Sequence, residues 1–253
     1  MGKFITNFAL TSELVTASAK TDGSFGRPHV SLTKDDGQVH FFGDPCKSEI
    51  VKTTYEWVEI GGIKWATKNV GAKVITDYGQ KFSWGGTKGY TNDQVSGSCH
   101  AFSWTDYELG DGGSAASNMT KYNSTDGKTV LEAEDDAATV NMGSGWRMPT
   151  TAEFQALGTA TTSAWTADYE GSGVAGLVLT SKADSSKKLF FPAAGFCTDG
   201  SVYVVGSNGV YWSSSLYSNK TNAYHVGFSS RRVNWQNDNY RRNGYSVRGV
   251  FGE

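Results

Sequence analysis

The sequence predicts an α+β fold in which two helices accompany a mixed, mainly antiparallel sheet. The chain has 253 residues, with 31 glycines and 13% aromatic residues, so it can bury a substantial core and also make many turns. Short apolar runs that alternate with polar residues recur along it and are typical of strands. Helix signatures occur at two places after residue 55, and residues 10–15 could start a further short helix. Together these features favour a β-rich, loop-rich fold over a helical bundle.

Residues 1–50 form a separate predicted module. The runs 29–33 and 38–42 alternate in polarity and flank an Asp-Gly turn at Asp36-Gly37, which is a strong hairpin signal. Such a hairpin buries too little to fold by itself. It is therefore either an ordinary terminal hairpin that packs on a partner or an attachment or oligomerisation module, and both interpretations stay open.

The second predicted domain spans residues 55–253. A hairpin turns at Gly61-Gly62. One helix is expected from Leu131 to Gly143, and a second begins at a capping box made by Thr150 and Glu153. A long polar insertion, 87–125, is expected to be surface loop. Further strands are predicted at 176–180, 188–192, 202–205, 210–213, 223–228 and 245–250, with a turn at Asn208-Gly209.

The composition argues against several functions. A net charge of −2 gives no general attraction to nucleic acid, and no apolar run is long enough to insert in a membrane. The three cysteines are widely spaced, so neither a disulfide framework nor a zinc site is predicted. Asp135 and Asp136 are expected to cap a helix rather than bind metal. The four histidines are scattered without a catalytic order, so we expect no enzyme activity, no cofactor and no metal.

The stretch from Tyr211 to Val250 is the predicted binding region. Its two ends are predicted to be strands of the sheet, while its middle is rich in Tyr, Asn, Ser and Arg, as in antibody paratopes. Val226 and Phe228 alternate toward one face, which leaves the polar residues facing outward. The residues predicted to contact a ligand are Leu216, Tyr217, Tyr224, His225, Ser229, Arg231, Arg232, Asn234, Trp235, Asn237, Asp238, Asn239, Tyr240 and Arg241.

Six ordered motifs between residues 55 and 251 resemble the Fibrobacter succinogenes major paralogous domain. They are WVEIGGIKWA at 57–66, DDAA at 135–138, GWRMPT at 145–150, FPAAG at 191–195, GVYWSSS at 209–215 and GYSVR at 244–248. The resemblance implies a C-type lectin fold. It also implies kinship with the variable proteins of diversity-generating retroelements, in which a C-terminal repeat is rewritten at adenines, so that residues 211–250 would be a hypervariable region.

Residues 216–243, which we call the display stretch, have a composition that is compatible with such rewriting. Change at the adenines of Asn codons cannot produce Lys, Trp or Gln, and between 216 and 243 only Lys220, Trp235 and Gln236 belong to those types. A fixed binding surface would also be rich in Asn, Ser, Tyr and Arg, so both interpretations remain. A calcium-dependent sugar site is not expected, because the Glu-Pro-Asn or Gln-Pro-Asp triplet of C-type lectins is missing.

The N-terminal segment is similar to a short module of virion proteins from gut bacteriophages and prophages. This resemblance implies a virion or phage-tail location, or an extracellular surface, which agrees with the lack of a secretory signal at the N-terminus. The implied partners are a protein or glycan on a bacterial surface and other virion proteins, with a homotrimer as one arrangement that would raise avidity. The alternatives are a structural virion or cell-surface protein and an enzyme of the formylglycine-generating type.

Overall fold

The computed structural model describes residues 55–97, 99–114, 116 and 118–252, together with the backbone of two short strands nearer the N-terminus. The chain divides into two compact units, Met1–Lys47 and Ser48–Glu253. In the first unit β1 (His29–Leu32) pairs antiparallel with β2 (Val39–Phe42), which confirms the predicted hairpin. The remainder of the predicted N-terminal module lies outside the described residues.

The described part of the second unit contains four sheets. Their strands are β3 (Trp57–Ile60), β4 (Ile63–Asn69), β5 (Lys81–Phe82), β6 (Trp146–Arg147), β7 (Thr161–Thr166), β8 (Gly176–Ser181), β9 (Lys188–Pro192), β10 (Phe196–Thr198), β11 (Ser201–Tyr203), β12 (Asn208–Leu216), β13 (Asn222–Ser229), β14 (Val233–Tyr240), β15 (Tyr245–Ser246) and β16 (Arg248–Phe251). The central sheet has the strand order β14-β13-β12-β15-β5, and a second sheet has the order β3-β4-β16-β6. The other two are a three-stranded sheet, β7-β8-β9, and a two-stranded one, β10-β11.

Two α-helices lie between β5 and β7. Helix α1 (Ala137–Met142) begins after Asp136, whose carboxylate accepts hydrogen bonds from two backbone N–H groups of its first turn. The predicted capping role of this acid is thereby confirmed. The predicted start of the helix at Leu131 is wrong, because Ala133–Asp135 form a separate 3-10 turn and Asp136 is extended. Helix α2 (Thr151–Ala160) carries the predicted capping box.

The predicted α+β class, and with it the C-type lectin fold, is wrong. Of the described residues, 39% lie in strands and 11% in helices, so the protein is mainly β. The helix signals yield elements of only six and ten residues. The strands divide among several sheets instead of forming one mixed sheet. The turn predicted at Asn208-Gly209 is also wrong, since both residues begin β12.

The core lies on both faces of the central sheet. On one face Tyr211 and Phe228 pack with Phe154 of α2. On the other face Trp212 and Tyr245 pack in a cluster that reaches α1. Neighbouring residues of a strand point to opposite faces, so β12 is buried on both of its sides. The central sheet therefore gives a rigid support to the strands that follow it in the chain.

Candidate functional site

The polar display stretch forms the edge strand β14 of the central sheet, its neighbour β13 and the turn between them. In their register His225 lies opposite Asn237, and Gly227 lies opposite Asn234. A bulge falls between these two pairs, because β14 has one more residue there than β13. The display stretch is thus an antiparallel hairpin at the edge of a buried sheet. Strand β14 was not predicted, because its sequence lacks a regular apolar alternation.

The predicted ligand residues do not all lie on one face. Alternation along the paired strands divides them between the two sides of the hairpin. One side, which we call the cavity face, carries His225, Ser229, Asn234, Asn237 and Asn239. The opposite side, the helix face, carries the paired residues Tyr224 and Asp238 and also Trp235, which packs against α2. The ring of Tyr240 packs against Trp104 instead.

Trp235 is a supporting residue of the helix face. It is half-buried against the core cluster of α2, and a Cβ added at Gly158 of α2 would lie 2.6 Å from its indole ring. This close fit shows that the helix surface is shaped around the ring. Trp235, which is predicted to contact a ligand, thus also packs the hairpin onto α2 with its apolar surface.

Three other predicted ligand residues are buried. Leu216 is 6% exposed and His225 is 5% exposed, while Arg241 is fully buried. Leu216 belongs to the core cluster around Trp212, because β12 runs on into the core beyond its first pairings. These residues do not present an open contact surface, although His225 lies at the base of a cavity.

Arg241 is an internal anchor. Its Nε donates to the hydroxyl of Tyr107 at 2.7 Å, and its Nη atoms donate to the carbonyl oxygens of Lys121, Tyr122 and Lys220 at 3.0–3.1 Å. The guanidinium also lies 4.8 Å from the centre of the Trp84 ring. Carbonyl dipoles and aromatic faces thus surround the charge. The side chain ties the end of β14 to two distant loops.

The remaining predicted residues are accessible to a partner. Tyr217 and Tyr224 pack edge to face, with ring centres 5.1 Å apart. Asp238 accepts a hydrogen bond from Asn222 at 2.7 Å. Arg231 and Arg232 are exposed in the β13–β14 turn, and neither forms an ion pair with any residue in the described part of the chain. We define the display surface as Tyr217, Tyr224, Ser229, Arg231, Arg232, Asn234, Asn237, Asp238, Asn239 and Tyr240.

A cavity of about 210 Å³ opens on the cavity face. Four asparagines line it, together with Arg232, which is exposed. Its apolar lining includes Phe196, Phe228 and Tyr245. Sequence reasoning missed the contributions of Phe196 and Asn208, which lie outside the predicted display stretch. Only the strand register brings them to this site. The asparagines are Asn208, Asn234, Asn237 and Asn239.

His225 is a buried titratable residue of the cavity lining. Its Nδ1 atom is buried and has no hydrogen-bond partner among the described residues. The ring stands edge-on to Trp212 and lies 5.1 Å from Tyr245. Burial lowers the pKa of His225 from 6.5 to about 4, and the nearby Asp238 carboxylate opposes this shift. The imidazole is therefore neutral near pH 7 and can exchange hydrogen bonds with a neutral group.

A second aromatic patch adjoins Tyr240. The Tyr240 ring lies 5.6 Å from that of Trp104, and the guanidinium of Arg242 lies over both rings at 5.8 and 5.7 Å. Arg242 is held there by Asp199, with Nη1 2.6 Å from the carboxylate. Its neighbour Arg241 points inward, and nothing in the Arg-Arg sequence distinguishes their two roles.

Other candidate sites are occupied by the protein's own groups. Three acidic side chains cluster with metal-like spacing, but the ammonium of Lys121 contacts all of them. Cys197 is a buried free thiol whose pKa is raised by burial to about 11, so it is a poor nucleophile. The acidic residues are Glu132, Glu134 and Asp135.

Comparison with known protein families gives a match over part of the chain. Residues 178–250, from β8 into β16, match a family described as a domain of unknown function, DUF8237. No curated protein matches the chain. No solved structure matches it. Within the described residues, no helix has the length and apolar character needed to span a bilayer.

Proposed function

We propose that this protein is a non-enzymatic receptor-binding protein that recognises a protein or glycan on a bacterial surface through the display surface. The observation that carries the proposal is the contrast between the two kinds of position in the β13–β14 hairpin. The apolar positions are packed in the core, whereas Arg231 and Arg232 project from the turn without ion-pair partners in the described part of the chain. Unpaired arginines beside half-buried tyrosines are typical of residues that dominate binding energy at interfaces.

The same contrast supports a variable surface. Exposed polar positions can change at a cost of about 0.5 kcal/mol or less, whereas buried positions cannot. The display surface would then be rewritten while the core stays fixed, as in the variable proteins of diversity-generating retroelements. We place the protein on a phage tail or another virion or extracellular surface, where its N-terminal segment would attach it to other virion proteins. A homotrimer would raise a weak single-site affinity.

Substitution of three exposed display residues tests the binding role. The triple variant Arg231→Ser, Arg232→Ser, Tyr240→Ser is expected to lose at least tenfold in binding to bacterial cells, because these side chains offer the accessible cationic and aromatic area. Fluorescently labelled full-length protein is measured by flow cytometry on a panel of fixed gut bacterial strains. The melting temperature should stay within about 2 °C of the parent's, since surface changes cost little stability.

A matched control is available among exposed residues outside the display surface. Trp57 is 45% exposed, the same fraction as Tyr240, and Lys187 and Lys188 are exposed cations. Changing these three to serine should leave cell binding intact. If both triple variants bind as the parent does, or the parent binds no strain, the receptor-binding proposal is wrong and a structural role is favoured.

The proposed diversification makes a separate genomic prediction. A gene for a reverse transcriptase should lie near the coding sequence, accompanied by a near-copy of the repeat that encodes residues 211–250. The two copies should differ almost only at adenines of the template. Differences spread equally over all four bases would contradict diversification and leave a fixed binding surface.

A further inference from the structure

We propose that the cavity on the cavity face binds one acidic sugar unit, that is, a hexose-sized ring bearing a carboxylate. This inference rests on the proposed binding function and names the chemistry at the centre of that surface. The cavity, at about 210 Å³, equals the space of about seven waters at ~30 Å³ each. It therefore accepts one small ring and not a folded protein segment.

The charge of the lining selects an anion. Arg232 is the one permanently charged residue of the lining, which contains no Asp, Glu or Lys. Its guanidinium has no ion-pair partner among the described residues. A guanidinium fork matches a carboxylate through two parallel hydrogen bonds. We therefore expect the carboxylate of the ligand to pair with Arg232, on the solvent-exposed side of the cavity.

The polar walls match hydroxyl groups. Each asparagine amide can both donate and accept, which suits a hydroxyl that does the same. The Asn208 and Asn237 side chains make no hydrogen bond to any other described residue, so their capacity is free for a ligand. Asn234 and Asn239 are partly engaged, because each accepts a backbone N–H bond within β14. A ligand with several hydroxyls would use more of these groups than an aliphatic acid could.

The unpartnered His225 adds an independent observation. A buried polar atom without a partner costs about 1–3 kcal/mol, and native structures hold few of them. His225 Nδ1 is such an atom, and its residue lines the cavity. A ligand hydroxyl would satisfy this nitrogen in either tautomer, because it can donate or accept. The aromatic surface of Tyr245 and Phe196 would face the apolar C–H groups of the ring.

Gly227 allows a direct test by filling the cavity. It lines the cavity from β13, and an added Cβ would meet nothing closer than 3.8 Å, from His225 Nε2. Gly227→Leu therefore adds bulk to the cavity without a backbone clash. Glucuronate and glucose serve as matched probes, since they differ by the carboxylate. Saturation-transfer NMR on the full chain measures their dissociation constants.

The expected results are specific to each variant. The parent should bind glucuronate at least fivefold more tightly than glucose, and Gly227→Leu should weaken glucuronate at least tenfold. Arg232→Gln should remove most of the preference for glucuronate, whereas Arg231→Gln, which lies outside the cavity lining, should retain it. Asn237→Leu is a second blocking variant that keeps the test decisive where Gly227→Leu folds poorly.

Three outcomes overturn the inference. In the first, glucuronate fails to bind the parent, and in the second, it binds both blocking variants as tightly as the parent. Cell binding that persists in the parent, unaffected by excess glucuronate, would keep the proposed function and reject the acidic sugar. The same holds if the triple serine variant loses cell binding while the cell binding of the parent does not respond to glucuronate. The receptor-binding function is then supported and the acidic-sugar site is rejected.

Discussion

Replacement of Arg241 by alanine is expected to lower the free energy of unfolding by about 3–5 kcal/mol. The change removes four hydrogen bonds from a fully buried side chain. It leaves three carbonyl oxygens and the hydroxyl of Tyr107 without their donor, and it opens a cavity beside Trp84. Urea unfolding followed by tryptophan fluorescence measures the loss.

Two further variants separate this anchor from an ordinary surface arginine. Arg231→Ala should change the unfolding free energy by no more than about 0.5 kcal/mol, because Arg231 is exposed. Arg241→Lys should recover little of the loss, since an ammonium cannot reproduce the fork that reaches several carbonyls. Equal stability of the Arg241→Ala and Arg231→Ala variants would contradict the anchoring role.

Acid is expected to destabilise the protein through His225. The pKa of this histidine is about 4 in the folded state, below its ordinary value of 6.5, because burial disfavours the charged form. Between these values the unfolded chain binds the proton more readily, so stability is full above pH 6.5 and falls as the pH drops toward 4. The expected loss from this one group is about 3 kcal/mol.

The measurement is a comparison with His225→Gln across the same pH range. The other groups around the imidazole are Asp238 on β14, Arg232 in the lining of the same cavity, and Tyr245. Burial raises the pKa of Tyr245 to about 12, so this tyrosine stays neutral across the pH range of the experiment. Because carboxylates elsewhere also titrate, the difference between the two curves is the informative quantity. Parallel curves from pH 6.5 to 4 would show that His225 is not the acid-sensitive group.

The features predicted well were those encoded by neighbouring residues. The capping box of Thr150 and Glu153 needs only four consecutive positions, and the hairpin at Gly61-Gly62 needs about ten. The structure confirms both. The division into framework and polar positions also followed from local alternation, which places Val226 and Phe228 in the core.

The features missed were those set by distant contacts. Arg241 stands in a polar run and looks exposed, but its partner Tyr107 lies 134 residues away. The cavity likewise forms only because of the register of β12, β13 and β14, which includes a bulge that no short sequence pattern predicts. The fold class failed for a related reason, since an acidic stretch after Leu131 suited a helix but forms a 3-10 turn.

The fit between Trp235 and Gly158 has a consequence for how the display surface could change. Gly158 on α2 and Trp235 on β14 constrain each other, because a side chain larger than glycine at 158 would collide with the indole ring. Trp235 is also one of the residues that rewriting of Asn codons cannot create. Under the proposed diversification, hairpin positions that pack against α2 would therefore keep their residues. New residues would be retained only at hairpin positions that do not contact α2.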